Sequence, residues 1–105
     1  MKIFALNEEL GDYELDYIKG DYSWLVYDYV TGDYDGSGEA VAMGEDGKLY
    51  FHNLGHCSCY GAVESGDFPN GGSCSIEDFK ASASDVLDRT SEAIREKVNE
   101  LLGAG

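Results

Sequence analysis

The sequence predicts an α+β domain: an antiparallel β-meander of three to four strands packed against a C-terminal amphipathic helix, as a single domain over residues 1–105. Three observations predict it. "YSWLVYDYV", residues 22–30, is rich in aromatic and β-branched residues, the composition of a strand. "EAVAM" at 39–43 and "KLYFHNL" at 48–54 are two further short strands joined by "GEDG", a hairpin turn. Between Asp85 and Leu102 the apolar residues recur at helical spacing. A sheet face and a helix stripe that are both apolar must be buried, and each is the other's available partner.

Taken in order, "KIFAL" at 2–6 adds a fourth strand. It is too short for a signal-peptide core and runs directly into "NEE". Residues 8–19 fit two patterns. Leu10, Tyr13 and Tyr17 have helical spacing, while Tyr13, Leu15 and Tyr17 alternate; a helix is expected here despite Gly11. Within 22–30, Trp24, Val26 and Val30 share one face and Leu25, Tyr27 and Tyr29 the other. Both faces are apolar or aromatic, which marks a central strand covered on both sides. "TGDYDGSG" at 31–38 is a loop. After Cys59 the chain is irregular until Ser75, an N-cap for a short helix over "IEDFKA". The last helix carries Leu87, Ile94, Val98 and Leu101 on one stripe, flanked by Val86 and Leu102, with Ser84 as its cap and Gly103 as its stop. Asp85–Arg89 and Glu92–Arg95 are helix-spaced opposite pairs, each worth a few tenths of a kcal/mol.

Charge is the least ordinary property. Seven basic residues face 21 acidic ones, a net −14. From Asn7 to Asp46 there are twelve carboxylates and one cation, Lys19, so this segment alone carries −11. Such a field repels nucleic acid and anionic membranes, and it attracts basic surfaces. No apolar run approaches the length of a membrane helix. Three cysteines cannot all pair within one chain, which fits a reducing, cytoplasmic compartment.

One cluster invites chemistry. "HNLGHCSCYG", residues 52–61, holds both histidines and two of the cysteines. In extended chain Cys57 and Cys59 project to one face and His56, Ser58 and Tyr60 to the other. Inert, buried thiols are the plainest reading. Zinc is the second: Cys57, Cys59 and Cys74 with His56 or His52 make a Cys₃His set, although C-x-C plus a lone cysteine departs from the usual C-x₂₋₄-C knuckle. A Cys–His nucleophile is the third, and it needs a base, an orienting group and positive surroundings that a −14 chain supplies poorly. "DYDGSGE" at 33–39 is no EF-hand loop, because alignment on Gly36 leaves Thr31 and Ala42 at the first and last ligand positions. Phosphate-loop, dinucleotide-binding, zinc-protease and nucleophile-elbow motifs do not occur.

The acidic segment interleaves Asp12, Glu14, Asp16, Asp21, Asp28, Asp33 and Asp35 with Tyr13, Tyr17, Tyr22, Tyr27, Tyr29 and Tyr34. A charge run is usually a solvated face. Here the concentration of charge and the tyrosines, a residue enriched in interface cores, favour a partner-binding surface. Carboxylates spaced along a rigid sheet imitate duplex phosphates. The acids, with Tyr13, Tyr17 and Tyr34, are the expected contact residues.

"YDGSGEAVAMGEDGKLYFHNLGHCSCYG", residues 34–61, resembles small proteins of tailed phages and some bacteria that share a "GSG-A" element followed by "LGHCSCYG". Their last glycine is often followed by proline, where this chain has Ala62. The likeness covers about a quarter of the chain and brings no established activity. It implies a phage accessory protein acting inside a bacterium, and by analogy an inhibitor of host defence. The expectation is therefore a non-enzymatic acidic protein, without cofactor, that occludes a basic, nucleic-acid-binding host protein. A small zinc-stabilised adaptor is the alternative, and a thiol-dependent enzyme or small-molecule binder the third.

Overall fold

A computed structural model describes residues 2–9, 18, 22–31, 36–56 and 71–104. Five strands form one sheet in chain order: β1 (Lys2–Ala5), β2 (Tyr22–Thr31), β3 (Gly36–Gly44), β4 (Lys48–His56) and β5 (Ser73–Ser75). Helices α1 (Ile76–Lys80), α2 (Ser84–Arg89) and α3 (Glu92–Ala104) follow. The fold is α+β, with a mixed sheet and a C-terminal helix.

The meander β2–β3–β4 is antiparallel and matches the expected strands. β1 pairs with β2 in parallel, Phe4 opposite Val26, and β5 adds an antiparallel edge beside β4. Neither feature has a strong local signal. The connection over residues 6–21 is long enough to permit parallel pairing, which needs a crossover of a dozen or more residues. β5 is three residues long, and it is set by backbone pairing: Phe51 N–H donates to the Gly72 carbonyl and Gly71 N–H to the Phe51 carbonyl, both at 2.9 Å. The β3–β4 turn closes with Gly47 N–H donating to the Gly44 carbonyl at 3.1 Å, and Gly47 takes a left-handed φ of 83°. A turn ending in a left-handed glycine matches the twist of the hairpin strands.

Both sheet faces are buried. On the helix side Val26, Val41, Leu49 and Phe51 pack against Phe79 of α1, Val86 of α2, and Ile94 and Val98 of α3, with Phe4, Leu6, Trp24 and Cys74 at the margin. On the far face Leu25, Tyr27, Tyr29, Ala40, Ala42 and Leu54 form a second cluster with Ile18. In register, Ala42 faces Leu25 and Tyr50, Ala40 faces Tyr27 and His52, and Gly38 faces Tyr29 and Leu54. The middle strand therefore offers small residues between larger neighbours, and the far face packs as a shallow trough along β3.

The expected helix over 85–102 is two helices. Thr90 is extended (φ −135°, ψ 148°) and ends α2. Its hydroxyl donates to the Val86 carbonyl, and Ser91 Oγ accepts from Ile94 N–H at 3.3 Å, starting α3. Arg95 donates back to the Thr90 carbonyl at 2.6 Å instead of pairing with Glu92. The break resets the helical phase, so Val86 is fully buried while Leu87 leaves the predicted stripe and is 48% exposed. Ser84 is not the cap of α2: Ala83 occupies that position without a side-chain bond, and Gly103 lies within the last turn of α3. Ser75 does cap α1, its hydroxyl accepting from Asp78 N–H at 3.1 Å. Of the expected helix over 8–19, residues 8, 9 and 18 are non-helical and the rest lie outside the described residues.

His52 is 1% exposed on the far face, and burial lowers its pKa from 6.5 to about 4. Between those values the unfolded chain takes up a proton that the folded chain does not, so this residue's contribution to stability is present above 6.5 and lost as pH falls toward 4. Denaturant titration at about pH 7 and about pH 4.5 should show wild type losing more stability than His52→Leu on acidification. Equal losses would contradict a neutral buried imidazole.

Candidate functional site

Most of the expected contact residues fall outside the described part of the chain: Asp12, Tyr13, Glu14, Asp16, Tyr17, Asp21, Asp33, Tyr34 and Asp35. Asp28 is described, and it is half-buried on the helix side of β2. Its carboxylate accepts from the Asn7 side-chain amide and from Ser91 Oγ at 3.4 Å. It ties the start of α3 and the segment after β1 to the sheet. Glu39 lies opposite it on β3. Burial raises the Glu39 pKa, and the Asp28 charge adds to this, while a hydrogen bond with Ser91 works against it. Asp28, Glu39 and Asn53 make a polar row across β2, β3 and β4 beside an open groove of about 450 Å³.

The tyrosines divide. Tyr27 and Tyr29 are 2% and 5% exposed and belong to the far-face core, so they offer no contact area. Tyr22 and Tyr50 are different. Strict alternation would put Tyr22 on the helix side with Trp24, but the β2–β3 register shifts between these two residues. A one-residue bulge sends a side chain to the opposite face. Tyr22 accordingly packs against the far-face cluster, with its ring centroid 5.9 Å from that of Tyr50 at an edge-to-face angle of 69°.

These rings line a recess of about 390 Å³ with Gly44, Glu45 and Asp46 at the β3–β4 turn. Asp46 accepts from the Tyr50 hydroxyl and from Lys48 N–H, the latter at 3.0 Å. The Tyr50 bond first and the Lys48 amide second hold the Asp46 carboxyl below its usual range, and the same bond raises the Tyr50 phenol. Burial, followed by the Asp46 charge, raises Tyr22. At neutral pH the site thus presents two neutral phenols beside an ionised carboxylate. Glu45, Asp46 and Tyr50 are absent from the sequence-based set. The available signal was an acidic pair inside the "GEDG" turn, with a tyrosine four residues after Asp46.

Of the zinc candidates, Cys57 and Cys59 lie outside the described residues, as does the His56 side chain. Cys74 sits on β5 opposite Leu49 and packs into the helix-side cluster. Burial, with the Asp78 charge second, raises its thiol pKa. His52 cannot share a metal with it, because alternation along β4 places His52 on the far face and the sheet stands between them. Among the described residues, no three His, Cys, Asp or Glu side chains converge as a metal site. No described helix is long and apolar enough to cross a membrane. No family model matches this chain, and neither a curated protein nor a solved structure matches it.

Proposed function

We propose that this protein is a non-enzymatic binding protein whose acidic, tyrosine-bearing surface occupies a basic, nucleic-acid-binding site on a host protein in the bacterial cytoplasm. The likeness of residues 34–61 to phage accessory proteins suggests the setting. The observation that carries the reading is the acidic excess of the described residues, three of whose six cations are engaged within the protein. Arg89 lies 5.9 Å over the Phe51 ring, Lys97 lies 4.7 Å over the Phe4 ring, and Arg95 is bonded to Thr90. Each is engaged within the helix layer and the sheet beneath it. Thirteen carboxylates and six cations lie among the described residues, and Lys97 pairs with Glu100 at 3.6 Å. The carboxylates of the described residues outnumber their cations by seven, an excess of negative charge that attracts a cationic surface.

The mechanism is competitive occlusion: carboxylates take the place of phosphates, and tyrosine rings add buried contact. Capture from bacterial lysate should yield a basic nucleic-acid-binding protein at about 0.01 M salt and release it near 1 M, as the screening length falls from about 30 Å to about 3 Å. Duplex DNA should displace that protein, and Asp12, Asp16, Asp33 and Asp35 changed together to lysine should abolish capture. Capture indifferent to salt, DNA and charge reversal would overturn the proposal.

A further inference from the structure

The recess at the β3–β4 turn has a definable ligand chemistry. Its two walls are aromatic, the rings of Tyr22 and Tyr50. Its floor is Gly44, and the absence of a side chain there is what leaves room: a Cβ on Gly44 would stand 2.7 Å from the Tyr50 ring and 2.6 Å from Asp46 Oδ1. Its rim carries Glu45 and Asp46. Asp46 Oδ1 accepts from Lys48 N–H and Oδ2 from the Tyr50 hydroxyl. An ionised carboxylate has about four lone-pair sites, so acceptor capacity remains for a ligand. The Tyr50 bond also fixes the carboxylate beside the ring.

We infer that this recess receives an arginine side chain of the basic partner, its guanidinium against the Tyr22 and Tyr50 rings and its N–H fork on the Asp46 carboxylate. Planar guanidinium suits this site better than ammonium, because it stacks on aromatic faces, is more weakly hydrated and presents paired donors to a carboxylate. Glu45 adds negative potential at the mouth. The inference rests on the binding function proposed above and names one anchor within it. Central arginine and tyrosine contacts commonly dominate interface energetics.

The test uses the full chain and N-acetylargininamide as the probe, followed by NMR of the tyrosine ring protons. Titration should shift the Tyr22 and Tyr50 resonances saturably, with a dissociation constant on the order of millimolar for one small cation. N-acetylcitrullinamide, of the same shape without charge, should shift neither, and N-acetyllysinamide should bind more weakly. Asp46→Asn keeps one acceptor oxygen for Lys48 N–H and replaces the other with an amide N–H group from which the Tyr50 hydroxyl oxygen can accept. With the charge removed, argininamide binding should weaken roughly fivefold. Gly44→Ala should fill the floor and abolish it. Equal shifts from citrullinamide, or unchanged binding by both variants, would overturn the site. Lysate capture separates the two claims. Salt-sensitive, DNA-displaceable capture that persists undiminished in Asp46→Asn leaves the acidic surface standing and removes this anchor. Saturable argininamide binding with no captured basic protein keeps the recess as a guanidinium site and removes the partner.

Discussion

Replacing Gly38 by alanine is expected to destabilise the fold by about 2–3 kcal/mol, toward the upper part of the range for overpacked interiors. A Cβ at this position would lie 1.9 Å from the Asp28 carbonyl oxygen and 2.8 Å from the Tyr29 Cα. Both are backbone atoms of β2, the strand to which β3 pairs residue by residue from Met43 to Gly36. No side-chain rotation can relieve such a contact, so the strands themselves must separate. Asp28 and Glu39 face each other one pair along, and the disturbance reaches their bonds to Ser91 as well. Gly47→Ala is the internal comparison. Its Cβ would meet nothing within 4 Å, and the cost there is the left-handed φ of 83° alone, about 1 kcal/mol. Denaturant midpoints at unchanged m-value measure both. Gly38→Ala within about 0.5 kcal/mol of wild type would mean that the β2–β3 contact is looser than described.

Phe79→Ala is expected to cost about 3–5 kcal/mol, as large-to-small changes of buried aromatics do. Phe79 is fully buried, is the buried residue of the five-residue helix α1, and stacks on Phe51 with centroids 6.4 Å apart and planes 18° apart. A helix of five residues has no stability of its own, since nucleation consumes most of what its few hydrogen bonds return. Its position depends on this anchor and on the Ser75 cap. Truncation therefore leaves a cavity beneath α1 and exposes one face of Phe51, whose backbone also carries the Gly71–Gly72 pairing. Phe79→Leu keeps most of the volume and should cost less than about 1.5 kcal/mol. Similar costs for leucine and alanine would show that ring stacking, and not volume, holds α1 in place.

Much of the scaffold was legible because its signals are local. The meander follows from alternation in 22–30 and from the turn chemistry between Gly44 and Gly47, and Ser75 announces α1 by its capping chemistry. The stripe of Ile94, Val98 and Leu101 predicts the packing of α3. The helix break at Thr90 and Ser91 was less legible. Both residues tolerate a helix interior, and the break depends on bonds from Thr90 to Val86, Ser91 to Ile94 and Arg95 to Thr90 that form together. Asp28 looked like one acid among many in a run, and only its neighbours Asn7 and Ser91, distant in sequence, give it a structural part.

Residue order by itself determined where the negative charge concentrates, the strand and helix periods, and hence a sheet with helices against it. These depend on residue type and spacing, which the chain carries everywhere along its length. The tertiary structure decided which tyrosines enter the core and which line the recess. Tyr27 and Tyr29 go to the core because β2 is covered on both faces, whereas a bulge turns Tyr22 toward Tyr50 over Gly44. Side-chain direction in a sheet depends on register, register is set by pairing between strands remote in sequence, and a single inserted residue reverses it.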